Sequence, residues 1–202
     1  GYTAAGAGRR PEPAKAGTAS MTDTIQAVFF DAGYTLLCMD PDQPTLFART
    51  CAALGIAIDP ERLPAAVERA NVLLGPRQPA EVPAPFSQAA VDAFWTRYNR
   101  ELLSVCAIHA NDAARAEEVY RLFAASIRWR VYDDVPGVLA TLRRRGLRTG
   151  VISNWTGDLE EVLAQTGLLS YFDFALDSAR LGHEKPHAPI FEEALRRSGV
   201  PA

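Results

Sequence analysis

Three features of the 202-residue sequence predict an α/β protein whose parallel sheet carries an inserted, all-helical unit. Two short apolar runs, 25–30 and 149–152, each stop at a polar residue, Asp31 and Ser153, as buried strands do where they meet a ligand crevice. Beyond residue 131, strand-like and helix-like segments alternate, which is the pattern of a parallel sheet. Finally, Asp31 and Ser153 are 122 residues apart (153 − 31), far more than one strand-helix-strand crossover needs. A separate unit must fill that gap. With 48% hydrophobic residues the chain can bury one core domain and a small second one.

Residues 1–20 combine Gly, Ala, Pro and Thr with Arg9, Arg10 and Lys15 and have no apolar periodicity. The stretch 1–22 is therefore predicted to be a disordered tail, and Met21 reads as a natural start. A transit peptide is disfavoured, because an amphipathic arginine pattern is lacking. The core is expected over 23–40 and 130–202, and the helical cap over 41–129. Within the first part, Ala27, Val28, Phe29 and Phe30 form a strand, Asp31 ends it, and a glycine turn follows at Gly33. Asp40, Pro41, Asp42 and Pro44 then break the chain, and a helical period runs to about Trp129.

In that helical stretch, Leu46, Phe47, Cys51 and Leu54 before Gly55 mark one helix, and Leu63, Val67, Ala70 and Leu74 before Gly75 mark a second. Four prolines in 76–85 make a loop. A third helix covers 86–105 and carries Val91, Phe94, Trp95, Tyr98, Leu102 and Leu103. Asn111-Asp112 is expected to cap a fourth, whose inner side holds Val119, Tyr120, Phe123 and Ile127. Aromatic residues at this spacing form a helix-bundle core more readily than a cofactor box. Farther on, Pro136 opens a helix with Val138, Leu139 and Leu142 inside, and 147–152 is the second strand. Leu159, Val162 and Leu163 mark a helix before Gly167, 172–176 is a short strand, and Pro189 opens the last helix.

Bulk properties exclude several classes. A net charge of −3 offers no basic patch for nucleic acid, and no uncharged apolar stretch is long enough to span a membrane. Cys38, Cys51 and Cys106 form neither a C-x-x-C nor an even set, so no zinc site or disulfide framework is indicated and a reducing, cytoplasmic setting is expected.

The chemistry-bearing residues are few. A lone carboxylate past a strand end, Asp31, with the Thr35 hydroxyl four residues on, is a candidate nucleophile. Taken singly, Ser153-Asn154 is ordinary helix-capping chemistry and Lys185 a solvated loop lysine. His183 and His187 are four apart, but Pro186 breaks the helix that would align a zinc pair. Order and placement change the reading. Asp31-Ala32-Gly33-Tyr34-Thr35, Val151-Ile152-Ser153-Asn154-Trp155 and Lys185-Pro186 together resemble the haloacid dehalogenase-like hydrolase superfamily, in the subgroup that inserts a helical cap after the first strand. Val131-Tyr132-Asp133-Asp134-Val135-Pro136, Tyr171-Phe172-Asp173 and Pro189-Ile190-Phe191 extend the resemblance, which covers 25–37 and 131–200.

That resemblance implies a Rossmann-like core with an all-α cap, and a hydrolase acting on a small phosphorylated metabolite. It implies that Asp31 attacks phosphorus to give an aspartyl-phosphate, which water hydrolyses. Ser153, Asn154 and Thr35 would bind the phosphate and substrate, and Lys185 would neutralise the charge shared by nucleophile and transferring group. Magnesium would be held by the Asp31 carboxylate, the backbone carbonyl of Gly33, the phosphate and an acidic pair further along.

Two departures bear on activity. Phosphatases of the superfamily carry a second Asp two residues after the nucleophile to protonate the leaving alkoxide. Here that place is Gly33, and losing a general acid commonly costs ~10²–10⁴-fold in rate. Dehalogenases of the superfamily also lack that acid, since a halide leaves without a proton, but they read Asp-x-Tyr-Gly-Thr where this chain has Gly33-Tyr34-Thr35. The sequence also reaches Ala202 before the acidic pair. A C-terminally truncated chain is expected from this, with an unpaired edge on the first strand, weak magnesium binding and impaired turnover. The alternatives are a 2-haloacid dehalogenase-type hydrolase and a non-catalytic relative that binds partners through its pocket or cap.

Overall fold

A computed structural model describes residues 25–74 and 87–200; the expectations for 1–22, for the loop of 76–85 and for the stop at Gly75 lie outside the described residues. The described chain opens with β1 (Ala27–Phe30), turns, and continues as β2 (Leu37–Met39). Four helices follow: α1 (Gln43–Ala53), α2 (Leu63–Leu74), α3 (Gln88–Cys106) and α4 (Ala116–Ser126). β3 (Trp129–Val131) closes the excursion by pairing antiparallel with β2, Leu37 opposite Val131 and Met39 opposite Trp129. Then come α5 (Val135–Arg144), β4 (Arg148–Ser153), α6 (Leu159–Gln165), β5 (Phe174–Asp177), α7 (Ser178–Leu181) and α8 (Ala188–Ser198).

β1, β4 and β5 form a parallel sheet in that order, with Phe30 opposite Val151 and Ser153 opposite Asp177. Side chains alternate across it. Phe30, Val151 and Ala175 pack on one side with Leu139 of α5 and Leu159 and Leu163 of α6. Phe29, Ile152 and Leu176 pack on the other with Ile190 and Ala194 of α8. Cover on both faces is what a parallel sheet requires, and it is why these strands read as continuous apolar runs. Each fully buried Leu, Ile or Val contributes roughly 1.5–3 kcal/mol against exposure, which fixes the strand ends that carry the site. Gly150 is required by close approach: a Cβ there would stand 2.3 Å from the ring of Phe174 on the neighbouring strand.

The four helices between β2 and β3 bury a cluster of their own, including Phe47, Cys51, Ala66, Ala70, Leu102, Leu103, Cys106 and Val119. Asp42 accepts from the Thr45 N–H at 2.8 Å and Ser87 from Ala90 at 3.4 Å, capping α1 and α3. Three local expectations are corrected. Trp129 belongs to a strand, not to the end of the helical stretch. Asn111 and Asp112 lie in a 3-10 segment, Ala110–Arg115, and α4 begins after it without a side-chain cap. Val138 is exposed, because α5 turns Val135 and Leu139, four apart, toward the sheet. Among the described residues no helix is long and apolar enough to cross a membrane.

Candidate active site

The carboxyl ends of the parallel strands assemble the site. Asp31 follows β1, Ser153 is the last residue of β4, and Lys185 sits in the loop between α7 and α8. The Ser153 hydroxyl donates to Asp31 Oδ1 at 2.9 Å, and Lys185 Nζ donates to the same oxygen at 2.7 Å. These partners are 122 and 154 residues from Asp31 in the chain, so tertiary structure alone brings them together. Among the described residues no hydrogen bond reaches Oδ2. The Asp31 side chain is 40% exposed and that of Lys185 25%, whereas Ser153 is buried. The carboxylate is thus held at one oxygen and open at the other.

Asn154 does not cap a helix; the residue before α6 is Asp158. Its Oδ1 accepts from the Lys185 N–H at 2.7 Å and its Nδ2 donates to the Lys185 carbonyl at 3.0 Å. Asn154 therefore grips the backbone from which the lysine projects.

The segment after Asp31 is a tight turn in which Ala32 O accepts from Leu36 (2.9 Å) and Leu37 (3.0 Å), and Tyr34 donates to Leu37 O at 2.6 Å. Its left-handed residue is Tyr34 (φ 58), not Gly33, and a side chain there costs on the order of 1 kcal/mol. Gly33 is faced by an indole: a Cβ built on it would sit 3.4 Å from Cζ3 of Trp155. Partial burial, followed by the nearby Tyr132, Asp42 and Cys38, pushes the Tyr34 phenol above its usual value. Thr35 is exposed, and its hydroxyl makes no hydrogen bond among the described residues.

Sequence reasoning singled out Trp155 as lining the substrate space or simply packing, and passed over Asp177, Ser178 and Asp158, which hold the segment after β4. Asp177 is buried at the end of β5; its Oδ2 accepts from the N–H of Gly157 (2.8 Å) and Leu159 (3.3 Å), and its Oδ1 from Ala179 (3.0 Å). Burial pushes its carboxyl above the ordinary range against the opposing pull of these backbone donors. Ser178 Oγ accepts from the Trp155 N–H at 3.1 Å and donates to its carbonyl at 3.3 Å. The Trp155 indole N–H donates to Asp158 Oδ1 at 2.8 Å, and its ring lies 4.9 Å from that of Trp129. For Asp177 a signal existed, an apolar run ending in an acid, as at Asp31.

No group of three His, Cys, Asp or Glu able to hold a metal exists among the described residues, and His183 and His187 supply none. Two oxygens on this turn, Asp31 Oδ2 and the Gly33 carbonyl, accept no hydrogen bond among the described residues. Magnesium keeps several waters and commonly takes one or two carboxylates plus substrate phosphate, so this donor set fits a cation shared with a substrate.

The family profile of the haloacid dehalogenase-like hydrolases matches residues 25–202. Haloacid dehalogenase-like hydrolase domain-containing protein 3 of Danio rerio is 29% identical over 185 residues, covering 88% of this chain and 74% of that protein. Phosphoserine phosphatase of Thermus thermophilus is 31% identical over 130 residues, covering 55% of this chain and 52% of the phosphatase. A solved structure of a dehalogenase with an intermediate complex superposes with a TM-score of 0.55 at 22% identity, covering 88% of this chain and 73% of the other, which is a likeness of fold. Each match leaves part of the relative's own length uncovered.

Proposed function

The chain belongs to the haloacid dehalogenase-like hydrolase family, and on that premise we propose that it hydrolyses a small phosphorylated metabolite with Asp31 as nucleophile. The observation that carries this reading is the Asp31 carboxylate, gripped at Oδ1 by Ser153 and Lys185 and open at Oδ2. A carboxylate nucleophile needs positioning and charge compensation more than a base. Ser153 fixes its orientation, and the Lys185 ammonium offsets the negative charge that an incoming phosphoryl group adds. Asn154 is a positioning residue that fixes the lysine through its backbone. The Asp31 carboxylate and the Gly33 carbonyl would hold magnesium, whose charge would be supplied to the phosphate oxygens. The helical insertion over α1 to α4 serves as the cap that bounds the substrate space. The likeness to a phosphoserine phosphatase supports a phosphate ester.

The test is hydrolysis of p-nitrophenyl phosphate with and without magnesium, beside Asp31→Asn. Turnover by the parent and background by the variant is the expected outcome; equal turnover removes Asp31 from the mechanism. Gly33 favours one second reading, a 2-haloacid dehalogenase-type hydrolase whose halide leaves without a proton. Chloride release from 2-chloropropionate without added metal would support it.

A further inference from the structure

Among the described residues, the proton-bearing side chains on the Asp31 carboxylate are those of Ser153 and Lys185, and both direct their hydrogens at Oδ1. Of the next groups outward, Gly33, Trp155 and Asp177 supply no free donor, and the hydroxyls of Tyr34 and Thr35 make no hydrogen bond to Asp31 among the described residues. Gly33 has no side chain, and the ring of Trp155 faces the space where one would begin. The Trp155 indole N–H is committed to Asp158 and its backbone N–H to Ser178. Asp177 is buried, with both carboxyl oxygens turned onto backbone N–H groups. The tilted Trp155 and Trp129 rings form an aromatic wall beside the nucleophile turn, and neither is fully buried.

We propose that the site takes phosphates whose leaving group departs as a stable anion, namely aryl and acyl phosphates, in preference to alkyl phosphates. This deepens the phosphatase reading and rests on it. Asp31 Oδ2 bonds to phosphorus while the bond from phosphorus to the leaving oxygen breaks. The electron pair stays on that oxygen, which departs as a phenolate or carboxylate without needing a proton. Water then attacks phosphorus, the acyl-phosphate bond breaks, the carboxylate is restored, and the water's protons remain on the released dihydrogen phosphate. The aromatic wall suits an aryl group, because ring faces and edges pack favourably against one another.

The experiment is a series of kcat/KM values for 2,4-dinitrophenyl, p-nitrophenyl and phenyl phosphate, acetyl phosphate and glycerol phosphate, with mass spectrometry of the quenched protein for phosphorylated Asp31. A missing general acid is commonly worth ~10²–10⁴-fold, so glycerol phosphate is expected to fall below 2,4-dinitrophenyl phosphate by at least that range. Glycerol phosphate turned over within tenfold of 2,4-dinitrophenyl phosphate overturns the inference while leaving the phosphatase reading intact. No turnover of any member, with no adduct on Asp31, overturns the phosphatase reading and the inference with it.

Discussion

Replacing Lys185 with Met removes the ammonium that stands 2.7 Å from Asp31 Oδ1 while keeping an unbranched stem. At that distance Coulomb's law gives about 6 kcal/mol for an effective dielectric of ~20 and about 1.5 kcal/mol in bulk water. Exposure decides between them. With the side chains 40% and 25% exposed, the resting pair is well screened, and after the entropy of ordering a lysine it contributes no more than ~1 kcal/mol to folding. In the proposed phosphoryl transfer the balance would change, because substrate would displace water and bring negative charge to the same pocket. A preorganised donor in such a place is commonly worth ~10²–10³ in rate, about 2.7–4 kcal/mol. Lys185→Met is therefore expected to lower kcat/KM for p-nitrophenyl phosphate by ~10²–10³ while urea unfolding shifts by less than ~1 kcal/mol. Domains with ~5–15 kcal/mol of stability do not lose activity on that scale through a change of ~1 kcal/mol. Activity within tenfold of the parent, or a loss that tracks the fraction unfolded, refutes the charge-neutralising role.

Asp177→Asn places an amide NH₂ against buried backbone N–H groups and is expected to cost ~1–3 kcal/mol in urea unfolding at neutral pH. The parent carboxyl holds its proton to a higher pH when folded than the ordinary value of 3.8, so its ionisation works against folding. Its contribution is complete below 3.8 and is lost as pH rises through the higher native value; unfolding measured across the acidic range should show that slope in the parent and not in the variant. Gly150→Ala drives a Cβ into the Phe174 ring and should destabilise by ~1–3 kcal/mol, with Phe174→Leu in the same chain recovering part of the loss. A thiol reagent should modify Cys38 quickly in the native protein and Cys51 and Cys106 only after denaturation, since both lie in the helical core and burial pushes the Cys51 thiol up to about 12. Three fast thiols would contradict that core.

How far the sequence exposed the site depends on how locally each residue's position is determined. Asp31 and Ser153 are legible because strands buried on both faces leave continuous apolar runs with sharp ends. Lys185 is not legible from its own loop; it acquires meaning only as the third member of an ordered set, and the 2.7 Å contact is made across 154 residues. Asp177 carries the same local signal as Asp31, an acid after an apolar run, yet one is open to solvent with side-chain partners and the other is buried on backbone N–H groups. Part of the difference is local, since Asp177 caps α7 through the Ala179 N–H, and part is made by the 157–159 loop, whose N–H groups reach Asp177 and not Asp31.

The β2 and β3 ribbon was the least legible element, and it bears directly on the site. Three-residue strands are too short to show a period, and each exists because the other satisfies its backbone. Placing Trp129 among the helices hid its contact with Trp155, whose ring in turn faces Gly33. The ribbon carries the helical insertion at one end, and at the other Leu37 is tied to Ala32 and Tyr34 of the turn after Asp31. The ribbon therefore joins the helical insertion directly to Trp129 and to the turn after Asp31.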